Sequence, residues 1–365
     1  MKDELHFQVA LTMIPDLGPI RSRILIDHFG SASALFNAKK KEISAIEGIG
    51  ENCARSLKVW DHFSDAEEEI CFINKHQIQP LFLTDKKYPQ RLLNCYDPPT
   101  LLYYRGKADL NNHRIISIIG TRNHTEYGKQ MTEQLIGCLQ TQQVLIISGL
   151  AFGIDAIAHR SALLFNIPTI GVLGHGLDSL YPSQHKSLAK EMIEQGGLLT
   201  EYRKNTNPDK HNFPKRNRIV AGMADATIVI ETAIKGGSMI TAELAHSYNR
   251  DVFSIPGKIT DSKSRGCLQL IQQNKAILLT GGEQLIEVMG WEEKKKVFKK
   301  QRELFIELNE EEKIIIGLLR EKDMMPIDAI YLQSGLSSSK VAAAILNLEL
   351  QNVIISLPGK MYRMI

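Results

Sequence analysis

Along the middle of the chain, apolar residues come in short unbroken runs separated by amphipathic stretches; toward both ends they keep helical spacing. The run Arg114-Ile-Ile-Ser-Ile-Ile-Gly120 offers apolar groups to both faces of an extended backbone, which predicts a buried strand. Residues 126–140 follow as a helix with Met131, Leu135, Ile136 and Leu139 on one face. Further strands are expected at 144–150, 168–174, 198–202, 227–231, 251–255 and 276–280, with a helix through 156–165. Strands alternating with helices predict an α/β fold: a Rossmann-like, doubly wound, mostly parallel sheet of about seven strands.

The two ends follow other rules. Residues 1–80 read as helices punctuated twice, by Ile14-Pro-Asp-Leu-Gly-Pro-Ile20 and by Ile46-Glu-Gly-Ile-Gly-Glu-Asn52. Short glycine turns of this kind predict an N-terminal SAM/helix-hairpin-helix-like domain. Its free N–H groups could hold phosphate, although a net acidic segment fits packing or domain orientation better. Residues 303–365 read as a C-terminal winged helix, with helices at 311–320, 327–333 and 338–350 and a hairpin over 353–365. The third helix of such a fold normally carries Arg, Lys, Asn or Gln to read bases; here it offers one lysine, Lys340, and an acid, Glu349, so protein contact or autoinhibition is expected. The expected domains are thus 1–80, 81–290, a linker at 291–302, and 303–365.

Charge sharpens this division. The chain of 365 residues carries net +3, but the distribution is uneven. Residues 1–80 hold nine Lys/Arg against twelve Asp/Glu, and 303–365 hold six against nine. Residues 81–290 hold 23 against 18, and the linker holds six against two. An anionic partner is therefore expected at the middle. A content of 43% hydrophobic and 23% charged residues is ordinary for globular protein. No apolar run nears the roughly 18 residues of a spanning helix, so no membrane is expected. The first residues carry Asp3 and Glu4 and lack a cleavage pattern, and the five cysteines form no Cys-x-x-Cys pair. Both point to a cytoplasmic protein without a secretory signal, disulfide framework or cysteine zinc site.

Candidate chemistry lies at the carboxyl ends of the expected strands, where open α/β sheets bind ligands. Gly120-Thr-Arg122, Ser148 through Asp155, Gly174-His-Gly176 and Glu231 through Ser238 are glycine-rich turns suited to phosphate. Neither G-x-G-x-x-G nor a Walker A pattern is present, so no nucleotide cofactor is expected, and no metal. The stretch 203–218 holds six Lys/Arg and one acid, with Phe213 among them. Lys210, Lys215, Arg216 and Arg218 could neutralise phosphates while Phe213 stacks on a base, the combination that single-strand binding needs. Catalytic residues are not evident. Asp155, Glu201, Glu231, Glu243, His159 and His175 are dispersed, although Asp155 and His159 lie four apart on one expected helix and could touch.

These motifs, in order, resemble the DNA-processing protein A (DprA/Smf) family. They are Ile119-Gly-Thr-Arg122, Ser148-Gly-Leu-Ala-Phe-Gly-Ile-Asp155 with His159, and Val172 through Asp178 with Tyr181-Pro182. Phe213 through Gly222, Gly237 through Ala242 and Val252 through Gly257 continue the match, which covers about 85–302. The resemblance implies a non-enzymatic single-stranded DNA-binding protein that guards incoming strands and hands them to a RecA-type recombinase during natural transformation. It implies a DNA site at Arg122, Ser148, Gly149, Lys210 and Phe213, adjoined by Lys215, Arg216, Asn217 and Arg218, and a homodimer through the α/β domain. The chain departs from the pattern at Gln184-His185 and at Cys267 and Gln269. A rival reading is a nucleotide phosphoribohydrolase-like enzyme. Gly236-Gly-Ser238 and Glu243 loosely resemble that family's motif, with Met239 at a glycine position and spacing off by one.

Overall fold

The structure, a computed structural model, describes residues 3–291, 308–322, 324–351, 353–357 and 360–364. Apart from Trp291, the basic linker lies outside the described residues, as does the Pro358-Gly359 tip of the expected wing. The chain divides into two compact units at Glu292/Glu293.

Six helices open the first unit: α1 (Glu4–Leu11), α2 (Pro19–Phe29), α3 (Ala32–Asn37), α4 (Lys40–Ser44), α5 (Gly50–Val59) and α6 (Phe63–Lys75). Nine strands then form one sheet. They are β1 (Gln79–Phe82), β2 (Leu101–Gly106), β3 (Ile115–Ile119), β4 (Leu145–Ser148) and β5 (Thr169–Val172), then β6 (Gly197–Thr200), β7 (Ala226–Val229), β8 (Asp251–Ser254) and β9 (Ile277–Leu278). The helices between them are α7 (Gln90–Leu93), α8 (Glu126–Cys138), α9 (Ile154–Leu164), α10 (Lys186–Gln195), α11 (Asn212–Met223), α12 (Gly237–Ser247), α13 (Arg265–Gln272) and α14 (Gly282–Val288).

The strand order is β1-β2-β6-β5-β4-β3-β7-β8-β9. Pairing is parallel from β6 across to β9, and antiparallel where β2 joins β6 and β1 joins β2. All seven expected strands form. The apolar runs of β3 to β8 reflect burial on both faces, whereas β9 at the sheet edge is exposed. Ile115 and Ile119 pack toward Ile219 and Val220 of α11, while Ile116 and Ile118 pack toward Leu135 of α8 and Ile157 of α9. The first of these cores runs on without a break into Val9, Leu25, Leu57 and Ile73 of the opening helices. The helical segment and the sheet are therefore one body.

The two antiparallel strands were not expected. Pro80 obscures β1, since proline gives no ladder donor and is tolerated only at an edge, which is where β1 lies. Gly196 secures the join between β2 and β6. Its carbonyl accepts from Lys107 N (2.8 Å), Ala108 N (3.1 Å) and the Tyr104 hydroxyl (3.0 Å). A Cβ there would stand 1.9 Å from the Thr169 carbonyl oxygen, so only glycine fits.

The second unit is a winged helix of α15 (Glu310–Glu321), α16 (Ile327–Ser334) and α17 (Ser338–Leu350) with a small sheet. Its strands β10 (Met325–Pro326), β11 (Ile354–Leu357) and β12 (Met361–Met364) lie in the order β10-β12-β11. Ile315, Leu319, Ile330, Val341, Ile345 and Leu348 form its core. The outward face of α17 presents Ala342, Ala343, Leu346 and Asn347, and Lys340 is paired with Glu311 at 3.1 Å. Among the described residues no helix is long and apolar enough to cross a membrane, and no cluster of His, Cys, Asp and Glu could hold a metal ion.

Gly196→Ala is expected to lower stability by roughly 1–3 kcal/mol or more, because backbone must move to admit the methyl. Urea unfolding reads this, with Gly281→Ala, where no atom lies within 4 Å of the added Cβ, as the control that stays close to wild type.

Candidate nucleic-acid interface

The winding of the sheet creates the site. From β3 at the centre the chain steps outward through β4 and β5 to β6, then returns to the other flank of β3 as β7 and continues to β8 and β9. The turns leaving β3 and β7 therefore diverge, and a crevice opens at their carboxyl ends. The crevice has a volume of about 730 Å³. Gly120, Thr121 and Arg122 enter it from β3, Gly149, Ala151 and Asp155 from β4, and Thr232 with Gly236 through Ser238 from β7. Helix α11 closes one side with Phe213, Arg216 and Asn217, and Lys210 and Tyr181 complete the lining.

Arg216 joins α11 to the strand ends. Its Nη1 donates to Gly149 O at 2.6 Å and to Val172 O, and the side chain is buried. Burial pulls its pKa down to about 10, against the opposing pull of Asp155. Asp155, near the start of α9, accepts from Gly149 N (3.1 Å) and Ala151 N (3.3 Å). Burial raises the Asp155 pKa, and the Arg216 charge opposes that rise. A Cβ at Gly149 would lie 2.6 Å from Arg216 Nη1 and 2.7 Å from Asp155 Oδ2. Glycine here makes room for this charge pair.

With Asp155 matched by Arg216, the remaining charges on the lining are Arg122 and Lys210, both exposed. The Arg122 guanidinium lies 5.7 Å from the centroid of the Phe213 ring, within cation–π range. Across the crevice α12 begins at Gly237 with no side-chain cap, so its first N–H groups remain available to an anion. The arrangement offers positive charge, backbone donors and the aromatic rings of Phe213 and Tyr181 around a single opening.

The expected site residues separate into those brought together and those turned away. Arg122, Gly149, Lys210, Phe213, Arg216 and Asn217 line the crevice; Ser148, Lys215 and Arg218 do not. Ser148 Oγ is buried and donates to Ile118 O at 2.6 Å. Lys215 is exposed outside the crevice. Arg218 is buried on the far side of α11, ion-paired with Glu201 and with Asp97, whose Oδ2 lies 3.9 Å from its Nε. Lys204 is also engaged. Its N donates to Glu69 at 3.1 Å and its Nζ to Glu68 at 3.1 Å, both on α6. Gln184 is exposed, His185 is buried and donates to Leu150 O at 3.0 Å, and Cys267 is buried against Val229 O and Ile230 O.

The dispersed acids and histidines serve the fold. Asp155 and His159 share α9 but make separate contacts, His159 Nδ1 lying 2.6 Å from Thr169 Oγ1. Glu231 accepts from Thr125 N at 2.9 Å and from its hydroxyl at the start of α8. Glu243, the acid of the hydrolase reading, is exposed and paired with Lys275 at 2.8 Å. Tyr181, noted in the sequence only as part of a motif and not as a site residue, also lines the crevice. It is an aromatic inside a polar loop, marked by neither periodicity nor charge.

The family model described as DNA recombination-mediator protein A matches residues 79–290, the DprA winged helix domain matches 305–360, and the helix-hairpin-helix motif matches 7–70. Protein Smf of Synechocystis sp. is 35% identical over 79% of this chain and 73% of its own length. The solved structure of DNA processing protein A from Streptococcus pneumoniae superposes with a TM-score of 0.67 and 31% identity, covering 79% of this chain and 98% of that one. A structure of DNA processing protein A from Helicobacter pylori, solved for its single-stranded DNA binding mode, gives a TM-score of 0.53 and 32% identity. It covers 58% of this chain and 95% of that one.

Removing Arg218 strands buried Glu201 without its partner, so Arg218→Ala should lower stability by about 3–5 kcal/mol. Arg122→Ala, at an exposed position, should stay within about 0.5 kcal/mol of wild type in the same urea titration. His159 gives a pH dependence. Burial holds its imidazole down at about 3 against an ordinary 6.5. The unfolded chain gains a proton near 6.5 that the folded chain refuses until about 3, so stability falls as pH drops through that window. His159→Gln should flatten the acid limb of the pH–stability curve there.

Proposed function

The chain belongs to the DNA recombination-mediator protein A family, and on that footing we propose that it binds single-stranded DNA in the crevice beside β3, β4 and β7. The observation that carries this reading is the charge balance of the lining. Arg122 and Lys210 face the opening unpaired with any acid there, while Asp155 is matched by Arg216. Phosphates sit on Arg122, Lys210 and the first N–H groups of α12, and Phe213 takes a base. Gly149, Arg216 and Asn217 form the floor and wall. Ser148 and Arg218 support them from behind, and Lys215 adds charge outside the opening. A base on Phe213 must leave its stack, which a single strand does at little cost and a duplex resists.

Membership of the family supports a wider role. The protein shields incoming strands and delivers them to a RecA-type recombinase during natural transformation and recombination, as a cytoplasmic homodimer joined through the α/β unit. Residues 81–290 carry the DNA, while residues 1–80 and 303–365 orient the complex and meet protein partners.

Fluorescence anisotropy with a labelled single-stranded oligonucleotide, a duplex control and a salt series tests the site. Single-strand affinity should fall with a log–log slope of about −0.7 per phosphate neutralised, and Arg122→Ala and Lys210→Ala should each weaken binding and flatten the slope by about 0.7. Equal affinity for duplex, or indifference to both substitutions, would overturn the proposal.

A further inference from the structure

Tyr181 stands at the lip of the crevice with 46% of its surface exposed, in the loop between β5 and α10. Its ring centroid is 5.7 Å from that of Phe213, and the two planes are inclined by 37°. Phe213 thus has Arg122 and Tyr181 as neighbours at the same distance. The two rings are close enough to belong to one recognition surface, and Tyr181 leaves nearly half of its surface open to a ligand.

The loop is anchored from beneath. The Tyr181 backbone N donates to His175 Nε2 at 3.2 Å, so that nitrogen is the unprotonated one, and His175 Nδ1–H donates to Gly176 O at 2.9 Å. Burial lowers the His175 pKa and keeps the imidazole in this neutral form. A buried histidine bonded to the backbone of an exposed tyrosine fixes where the ring starts without using the ring itself.

We infer that Tyr181 is a second base-stacking platform, taking the base adjacent to the one on Phe213; this rests on the single-strand reading above. The strand then lays its phosphates along Arg122 and Lys210 while two neighbouring bases each find an aromatic face. Such contacts are indifferent to base identity, because every base has a π-face. They are also indifferent to salt, because Tyr181 neutralises no phosphate.

The test compares oligo-dT with an abasic oligonucleotide of equal length on the full chain, using wild type, Tyr181→Ala, Tyr181→Leu and Tyr181→Phe. Tyr181→Ala and Tyr181→Leu should weaken oligo-dT binding by about fivefold or more, with Tyr181→Phe within about twofold of wild type. The abasic strand should bind all four proteins within about twofold, with an unchanged salt slope. Equal losses on both strands would mark Tyr181 as structural, and unchanged oligo-dT binding by Tyr181→Ala would remove it from the site. Either result overturns the inference while leaving single-strand binding intact. Failure of wild type to bind either strand would instead bring down the reading beneath it.

Discussion

A charged side chain buried beneath a glycine holds α11 against the strand ends, and the geometry of the crevice follows from it. Arg216 reaches Gly149 O and Val172 O, at the ends of β4 and β5, and faces Asp155 from α9. Helix α11 carries Phe213, so the aromatic face is placed by the same guanidinium that cancels the only acid on the lining. A buried charge pair of this kind contributes little net stability, since desolvation offsets the attraction. A shift of α11 would break the Arg216 bonds to Gly149 O and Val172 O and draw the guanidinium away from Asp155. The net positive charge at the opening exists because this carboxylate has been matched internally.

The same helix is fastened on its other side. Arg218 binds Glu201 and Asp97, and Tyr248, at the C-terminal end of α12, donates to Asp97. The loop leading into α11 is fastened too, by Glu68 and Glu69 of α6 to Lys204. Glu69 is buried, and burial raises its pKa against the pull of the Lys204 N–H. The acidic opening helices therefore touch the basic stretch near its start and leave Lys210 exposed. Acidic and basic segments that look like separate domains in composition are partners in one body.

Much of the fold is legible in the residues. Strands β3 to β8 are parallel to one another and buried along nearly their whole length, so their apolar runs stand out against amphipathic helices. Strand β1 escapes because it holds a proline, which only its place at the sheet edge tolerates. Of the candidate site, Arg122, Lys210 and Phe213 are legible from chemistry and turn position, supported by the family resemblance. The six basic residues of 203–218 cannot be apportioned from sequence. Arg216 and Arg218 are two apart, yet one lines the crevice and the other lies behind α11. Lys204 pairs with an acid more than a hundred positions away.

Features with a local or periodic cause are legible in the residues: the α/β class, the winged helix, the helical opening segment, and the glycine turns that leave room at strand ends. These follow from side-chain period, backbone permissiveness and burial of continuous apolar runs, which act within a few residues. The tertiary structure alone decided which charges remain free. Whether an arginine serves a ligand or its own protein depends on the carboxylates and carbonyls that folding brings beside it, and those come from strands and helices far apart in the chain. Arg216 beside Asp155, Arg218 beside Glu201, and Tyr181 beside Phe213 are all meetings of this kind, set by strand order and by the packing of α11 across the sheet.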